Sequence, residues 1–155
     1  MAKGRWCRIC GCQRRNEAFS GRGHRNCICK ECQKLPKALL ERIDIGNELC
    51  GYIGQKNISE KNIARLVELT AHEDPDLREH AEALLDIARV HPRRKKRWKR
   101  LVETQCHLVH RYLVAAGDEV RGEIGLTMDL ETRLMLDDYE ADLSASAIAN
   151  QDIPF

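Results

Sequence analysis

Apolar residues recur at helical spacing from about residue 35 onward, and turn residues mark where each helix starts and stops. The first helical stretch has its apolar positions three and four residues apart, at Leu35, Leu39, Leu40 and Ile43. This pattern predicts a helix from about Cys29 to Asp44, with Pro36 in its first turn and an end near Gly46. Residues 13–28 contain Gly21 and Gly23 without a helical period, so a hairpin or loop is expected there.

Three further helices follow from cap signals. Ser59 is a good N-cap for a helix whose apolar face holds Ile63, Leu66 and Val67. Asp74-Pro75 supplies a cap and a proline at the first helical position of the next helix, which Pro92 ends. A third helix is predicted from about Arg94 to Ala116, with Gly117 after it.

These elements predict a small N-terminal module, a hairpin plus a helix, followed by an all-α helical bundle. The module is expected over residues 1–46 and the bundle over residues 47–117. Residues 118–155 are acidic, and we expect a short helix near Met128–Leu136 followed by a flexible tail over about the last fifteen residues. No apolar run is long enough to cross a membrane, and the basic start lacks a signal-peptide core, so a cytoplasmic location is expected.

Two Cys-x-x-Cys pairs, Cys7/Cys10 and Cys29/Cys32, are the strongest chemical signal in the chain. Two intervening residues let both sulfurs of a pair reach one ion, and four thiolates fill a tetrahedron without an open position. Reduced thiols clustered in this way favour a metal site over disulfides. We therefore predict one structural Zn²⁺, with Gly11 allowing the tight turn of a zinc knuckle. A knuckle, a hairpin and a second pair at the start of a helix together predict a small zinc-stabilised treble-clef module.

The run Cys7-Arg-Ile-Cys10-Gly11, eighteen residues, and then Cys29-Lys-Glu-Cys32 resembles the C4 zinc-binding domain at the start of the ClpX unfoldase. The resemblance covers residues 1–45 and implies a module that self-associates into a homodimer and recognises proteins. Residues 73–85 resemble one helix of a HEAT-type repeat. Because such folds need about three repeats, a helical bundle is the preferred interpretation for the rest of the chain.

Cys12, Cys27 and His24 leave alternatives open. Either inner cysteine could replace an outer one as a ligand, the two could form an oxidisable pair, or both could be small buried residues. His24 is a further candidate ligand. Four cysteines can also hold an iron–sulfur cluster, although zinc fits the closed two-pair pattern better.

Charge is strongly segregated along the chain. The net charge is +8 over residues 1–42, −5 over 43–92, +7 over 93–100 and −8 over 101–155. We call residues 93–100 the basic segment. Such blocks favour an anionic partner, because a polyanion relieves the repulsion between neighbouring cations and releases counterions. The predicted nucleic-acid contacts are Arg14, Arg15, Arg22, Arg25, Arg93, Arg94, Lys95, Lys96, Arg97, Lys99 and Arg100.

The sequence thus favours a non-enzymatic zinc protein that binds nucleic acid, with RNA or the ribosome ahead of specific DNA. A protein–protein adaptor is the competing hypothesis, and it follows from the ClpX resemblance. A nuclease of the HNH type is the third, with His24 as its candidate catalytic residue; the acid that this chemistry requires beside the histidine is missing.

Overall fold

The computed structural model describes residues 4–117, 124 and 128–149, with residues 22–24, 148 and 149 described by their backbone alone. The chain divides into two compact units, residues 1–48 and 49–155. We call them unit 1 and unit 2 and describe each by itself. Helix α2, Lys37–Ile53, contributes residues to both units. No helix among the described residues is long and apolar enough to span a membrane.

Unit 1 begins with a short antiparallel hairpin. Strands β1, Arg5–Trp6, and β2, Gln13–Arg14, pair with Arg5 opposite Arg14. A 3-10 turn over Asn16–Ala18, helix α1 over Gly21–Asn26 and a second 3-10 turn over Cys32–Lys34 follow. The buried core is small and consists of Cys7, Phe19, Ile28, Cys29 and Cys32. Three of these five residues are cysteines, so three of the predicted metal ligands also make up most of this core.

The helix predicted over Cys29–Asp44 is wrong at both ends, because α2 starts at Lys37 and ends at Ile53. Leu35 is extended, with φ −66° and ψ 150°, as the residue before a proline prefers, so a helix cannot run through Leu35-Pro36. At the other end, Gly46 does not stop the helix. The buried spacing of Ile45 continues past Gly46 with Leu49 and Tyr52.

Unit 2 contains helices α3, Glu60–Leu69, α4, Pro75–Val90, α5, Arg97–Ala116, and α6, Leu130–Ala149. Consecutive helices pack on one another, α3 on α4, α4 on α5 and α5 on α6. The predicted caps are confirmed: Ser59 Oγ accepts from Asn62 N at 3.3 Å, and Asp74 accepts from the amides of Asp76 and Leu77. The HEAT-like segment forms the start of α4, which packs against α3 and α5.

Helix α5 is bent where sequence patterns predict a regular helix. Gln105 has non-helical angles, φ −148° and ψ 54°. The preceding residue, Thr104, donates its hydroxyl hydrogen bond to Arg100 O at 2.6 Å. A threonine that bonds back to the carbonyl four residues earlier is a recognised cause of helix bending.

Residues 141–149, which belong to the predicted flexible tail, are helical, because α6 continues to Ala149. Alanine, the best helix former, recurs through this part of the helix. His110 on α5 and Glu140 on α6 lie 3.1 Å apart, just before this part of the helix, whose described side chains are exposed. Residues 150–155, which the same prediction covers, lie outside the described residues.

Arg97 joins two loops of unit 2 from inside the protein. Its side chain is 1% exposed, and its guanidinium donates to Ile53 O at 2.6 Å, Pro92 O at 2.6 Å and His91 O at 2.9 Å. The same loops also meet through backbone bonds, from Ile58 N to Pro92 O and from Arg94 N to Lys56 O. Arg97 therefore fixes the base from which the basic segment projects.

Replacing Arg97 by Met should lower the free energy of unfolding of unit 2 by at least about 3 kcal/mol, because several carbonyls lose a buried donor. Urea unfolding followed by Trp98 fluorescence in a Trp6→Phe background measures this. Arg94→Met removes an equal, exposed cation and should leave stability within about 0.5 kcal/mol. Equal effects of the two substitutions would contradict the structural role of Arg97.

A buried polar pair lies beside this region. Within the described residues, His80 Nε2 and Tyr112 Oη are buried without a hydrogen-bond partner, and the two rings are 5.4 Å apart. Burial lowers the pKa of His80 from 6.5 to about 4. The folded state therefore holds the neutral imidazole, whereas the unfolded chain takes up a proton below about pH 6.5.

Unit 2 should lose stability as the pH falls from about 6.5 towards 4, by up to about 3 kcal/mol, because only unfolded His80 gains a proton in that range. His80→Phe, which retains an aromatic ring beside Tyr112, should flatten this part of the pH profile. His107→Gln, at an exposed position on α5, is the matched control. A profile unchanged by His80→Phe would show that other groups control acid stability.

Candidate metal centre and basic surface

Four cysteine side chains converge in unit 1. The Sγ atoms of Cys7, Cys10, Cys29 and Cys32, which we call the cysteine cluster, all lie within 4.8 Å of one another. Four sulfurs bound to one tetrahedral ion at about 2.3 Å are about 3.8 Å apart, so a small contraction would close the site. The donor set and spacing fit a divalent ion with four thiolate ligands. The sequence-predicted ligands are thus brought together and can hold a metal ion.

The first pair sits in a tight turn that the hairpin presents. Strand β1 leads into Cys7, whose amide donates to Cys12 O at 2.9 Å, and Gly11 N donates to Cys7 O at 3.0 Å. Gly11 has φ +62°, in the left-handed region that glycine adopts without steric cost. The sequence-based role of Gly11 in a knuckle agrees with this geometry.

The second pair lies in a similar turn. The prediction that it lies at the start of an α-helix is wrong. Gln33 N donates to Cys29 O at 3.0 Å, and a 3-10 turn follows from Cys32 to Lys34. Cys29 N donates to Cys7 Sγ at 3.3 Å and so joins the two turns through a ligand atom. An N–H directed at sulfur stabilises the thiolate form that metal binding requires.

Side chains outside the cysteine pattern fix the two turns, and sequence reasoning missed them. Gln33 donates to Ile28 O at 2.9 Å and accepts from Ser20 Oγ at 2.9 Å. Asn47 donates to Arg8 O at 3.1 Å, and Arg8 pairs with Asp44 at 3.1 Å. No motif marks these residues, because each acts through a backbone carbonyl or a neighbour distant in sequence.

The thiols of the cluster differ in how readily they ionise. Burial opposes ionisation of Cys7, but the amides of Cys10, Cys29 and Ile9 outweigh it and lower the pKa of Cys7 to about 6. Burial and the neighbouring thiols of Cys29, Cys10 and Cys7 raise the pKa of Cys32 well above its usual range. One thiolate therefore suppresses the next, and a bound divalent cation removes that conflict.

The inner cysteines remain outside the cluster. Cys12 and Cys27 are both exposed, so the interpretation as small buried residues is wrong for them. The Cys12 thiol points to Cys10 O at 3.3 Å, and Cys27 has a left-handed backbone with φ +55°. His24 lies on α1, and its side chain is outside the described residues.

The predicted phosphate contacts of unit 1 differ in how available they are. Arg14 lies 3.5 Å from Glu31, and a hydrogen bond with Cys10 is the largest cause of the raised pKa of its guanidinium. Arg15 and Arg25 are exposed, and no ion pair to either is found among the described residues. The side chain of Arg22 is outside the described residues.

In the basic segment, most cations point outward. Arg93, Arg94, Lys95, Lys96 and Arg100 are exposed. Lys99 pairs with Glu131 at 2.9 Å and lies 4.0 Å from Glu103. Arg97 is the exception: its burial and its bonds to carbonyls remove it from the predicted nucleic-acid contacts.

Comparison with known protein families, with curated proteins and with solved structures gives no match. The resemblances to the ClpX zinc domain and to a HEAT helix therefore rest on their sequence motifs alone. What the structure itself shows is a two-strand hairpin beside four clustered cysteines, followed by a mostly helical chain.

We expect the purified protein to hold one zinc ion per chain, measured by elemental analysis. Cys29→Ser should lose the ion and expose unit 1 to trypsin at Arg14 and Arg15, because its small core depends on the metal. Cys12→Ser is the matched control, since the same atom is changed in the same turn outside the cluster, and it should keep the ion. Metal-free protein that resists trypsin equally would refute the metal centre.

Proposed function

We propose that this protein is a non-enzymatic, cytoplasmic zinc protein that binds RNA, alone or in the ribosome, through the basic segment and exposed arginines of unit 1. The observation that carries this proposal is the set of exposed cations without acidic partners. No ion pair to Arg93, Arg94, Lys95, Lys96 or Arg100 occurs among the described residues, although this segment is the densest run of charge in the chain. Such cations repel one another until an anion neutralises them.

Internal neutralisation by acidic residues is the ordinary alternative for a charge run. In the described part of α6, the ion pair that reaches this segment is Glu131 with Lys99. Other carboxylates of unit 2 are engaged elsewhere, since Glu82 and Asp86 both bind Arg111, at 2.9 and 2.8 Å. These contacts support a basic segment that remains available to an external polyanion.

The position of the cations favours RNA over sequence-specific DNA. Duplex DNA is read by side chains along a helix or ribbon that fits the major groove. Here the available cations lie in a loop and in the first turn of α5, whereas Leu101, Val102, Leu108 and Val109 on that helix are buried. Contacts of this kind suit irregular phosphate backbones and unpaired strands.

Unit 1 is proposed to be a treble-clef zinc module similar to that of ClpX, with zinc as a structural ion. Four sulfur ligands would leave the ion without a coordination site for water, which supports a structural and not a catalytic metal. Arg15 and Arg25 are exposed on this unit and would add phosphate contacts.

A protein adaptor is the second candidate, and one observation favours it. Trp6 on β1 is 60% exposed and lies beside Gly11, where an added Cβ would be 3.7 Å from the indole. An exposed indole of this size is a common anchor of protein interfaces. Homodimers in sedimentation that dissociate on Trp6→Ala would support this role.

Binding of a labelled RNA measured by anisotropy from 50 to 200 mM salt tests the proposal. Affinity should fall steeply with salt, and Arg94→Gln combined with Lys95→Gln should reduce the slope of log K against log salt by roughly 0.7 for each phosphate that is no longer neutralised. The charge-matched control is Arg65→Gln with Arg78→Gln. These arginines lie on α3 and α4, where Arg65 already binds Glu68 and Arg78 binds His72 O.

The control pair should leave both affinity and slope unchanged. Weak RNA binding at low salt would show that the basic segment is not the binding surface. Equal losses of affinity in the two double variants would show the same. Equal loss would show a response to net charge alone.

A further inference from the structure

A cavity of about 680 Å³ opens beside the basic segment within unit 2. Its volume falls in the range of about 300–1,000 Å³ that is usual for small-ligand pockets. The walls come from the end of α2, the start of α5 with the residues just before it, Ile124, and Met128, Asp129 and Thr132 at the start of α6. This convergence has no signal in the sequence, because the contributing residues are up to about eighty positions apart.

The cavity has two chemically different sides. Ile53, Trp98 and Met128 contribute apolar surface, while Arg94, Lys96 and Arg100 contribute cations. Glu103 and Asp129 also line it, but Lys99 lies 4.0 Å from Glu103, and Asp129 accepts from Thr132 N at 2.8 Å at the cap of α6. The acids are thus engaged locally, and the three cations have no ion pair among the described residues.

Trp98 is held in place as one wall. Its indole packs on Tyr112, with ring centroids 5.9 Å apart and planes tilted by 36°. The adjacent Arg97 is locked by its carbonyl contacts. A fixed indole next to cations is the combination with which proteins stack a base and neutralise its phosphate.

The start of α5 adds a second attraction for an anion. Arg97 N donates to Arg94 O and Arg100 N to Lys96 O. The amides of Trp98 and Lys99 between them donate to no described residue outside the helix. Lys96 at the N-cap has φ +57° and gives no side-chain cap. Cations at this end oppose the helix dipole, whereas a phosphate would satisfy both the dipole and the amides.

We propose that this cavity binds one nucleoside phosphate, with its base against Trp98 and its phosphate near Lys96, Arg100 and the first turn of α5. The unit is either a free nucleotide or an unpaired nucleotide of an RNA strand. Binding of an unpaired nucleotide within an RNA strand rests on the proposed function. In that case the unpaired nucleotide enters the cavity, while neighbouring phosphates of the strand contact Arg94 and the rest of the basic segment.

The test uses the full-length Trp6→Phe chain, in which Trp98 is the single tryptophan. Its fluorescence is titrated with uridine and adenosine monophosphates, with inorganic phosphate, and with blunt RNA duplexes or the same duplexes carrying one unpaired nucleotide. Stacking should quench the indole, and the overhang should strengthen binding about tenfold over the blunt duplex.

Two variants make the test specific to the cavity. Lys96→Asn with Arg100→Gln removes two cations, and asparagine tolerates the left-handed backbone at position 96. This pair should abolish quenching and the preference for the overhang, whereas Arg65→Gln with Arg78→Gln should change neither. Trp98→Leu should remove the overhang preference in anisotropy while circular dichroism shows intact helices.

Each outcome of these titrations either identifies the bound nucleotide as free or as part of an RNA strand, or overturns the proposal. Saturable quenching by free monophosphates supports a free nucleotide, and quenching by the overhang alone supports a strand. Salt-dependent RNA binding without quenching, or equal responses to phosphate and nucleotides, overturns the cavity proposal and leaves the proposed function standing. Absence of both RNA binding and quenching overturns both proposals.

Discussion

Burying a guanidinium costs several kcal/mol unless its N–H groups are paired, and Arg97 meets this condition with carbonyls of two loops. Residues 53–55 and 91–92 supply these acceptors, at the points where both segments leave helical geometry. The arrangement is mutual: the arginine satisfies the loops, and the loops allow its burial. The basic segment, the start of α5 and one wall of the cavity all depend on this single side chain.

Unit 1 is subject to a different constraint. Its buried core has five members, of which Cys7, Cys29 and Cys32 are three. So small an apolar core contributes little free energy, which is why domains of this size use metals or disulfides. The crowding of the thiols turns the same residues into a source of repulsion if they ionise without a cation. Metal binding would therefore supply the folding energy of the unit and relieve its electrostatic conflict.

Sequence rules that consider only neighbouring residues predict the structure correctly where a single turn determines it. Ser59 and Asp74 cap their helices as predicted, because a cap depends on a few neighbouring residues. The two Cys-x-x-Cys pairs also meet as predicted, although they are distant in sequence, because their spacing is that of a site with four sulfur ligands. The predicted start of α2 is wrong because apolar spacing carries no information on how Pro36 restricts Leu35. The continuation of α6 to Ala149 follows the helix propensity of its alanines, whereas the acidic composition of this region led to the prediction of a tail.

Arg97 shows where composition fails and periodicity could have helped. In a run of seven cations every member has the same composition signal, yet position 97 precedes Leu101, Leu108 and Tyr112 by 4, 11 and 15 residues. That spacing places it on the buried face of α5. The cavity has no comparable signal, because α2 and α6 approach α5 through tertiary packing alone.

The remaining cations of the basic segment repel one another, and acids among the described residues relieve this repulsion only at Lys99. They gather at the positive end of a helix dipole, next to a residue with a left-handed backbone, and the described acids of unit 2 neutralise Lys99 but not the others. Each of these features lowers the stability of the free protein. A phosphate bound at the start of α5 would be attracted both by these cations and by the positive end of the helix dipole, so it would offset both unfavourable interactions. The exposed cations of the segment are therefore the groups of unit 2 with the most to gain from an anionic ligand.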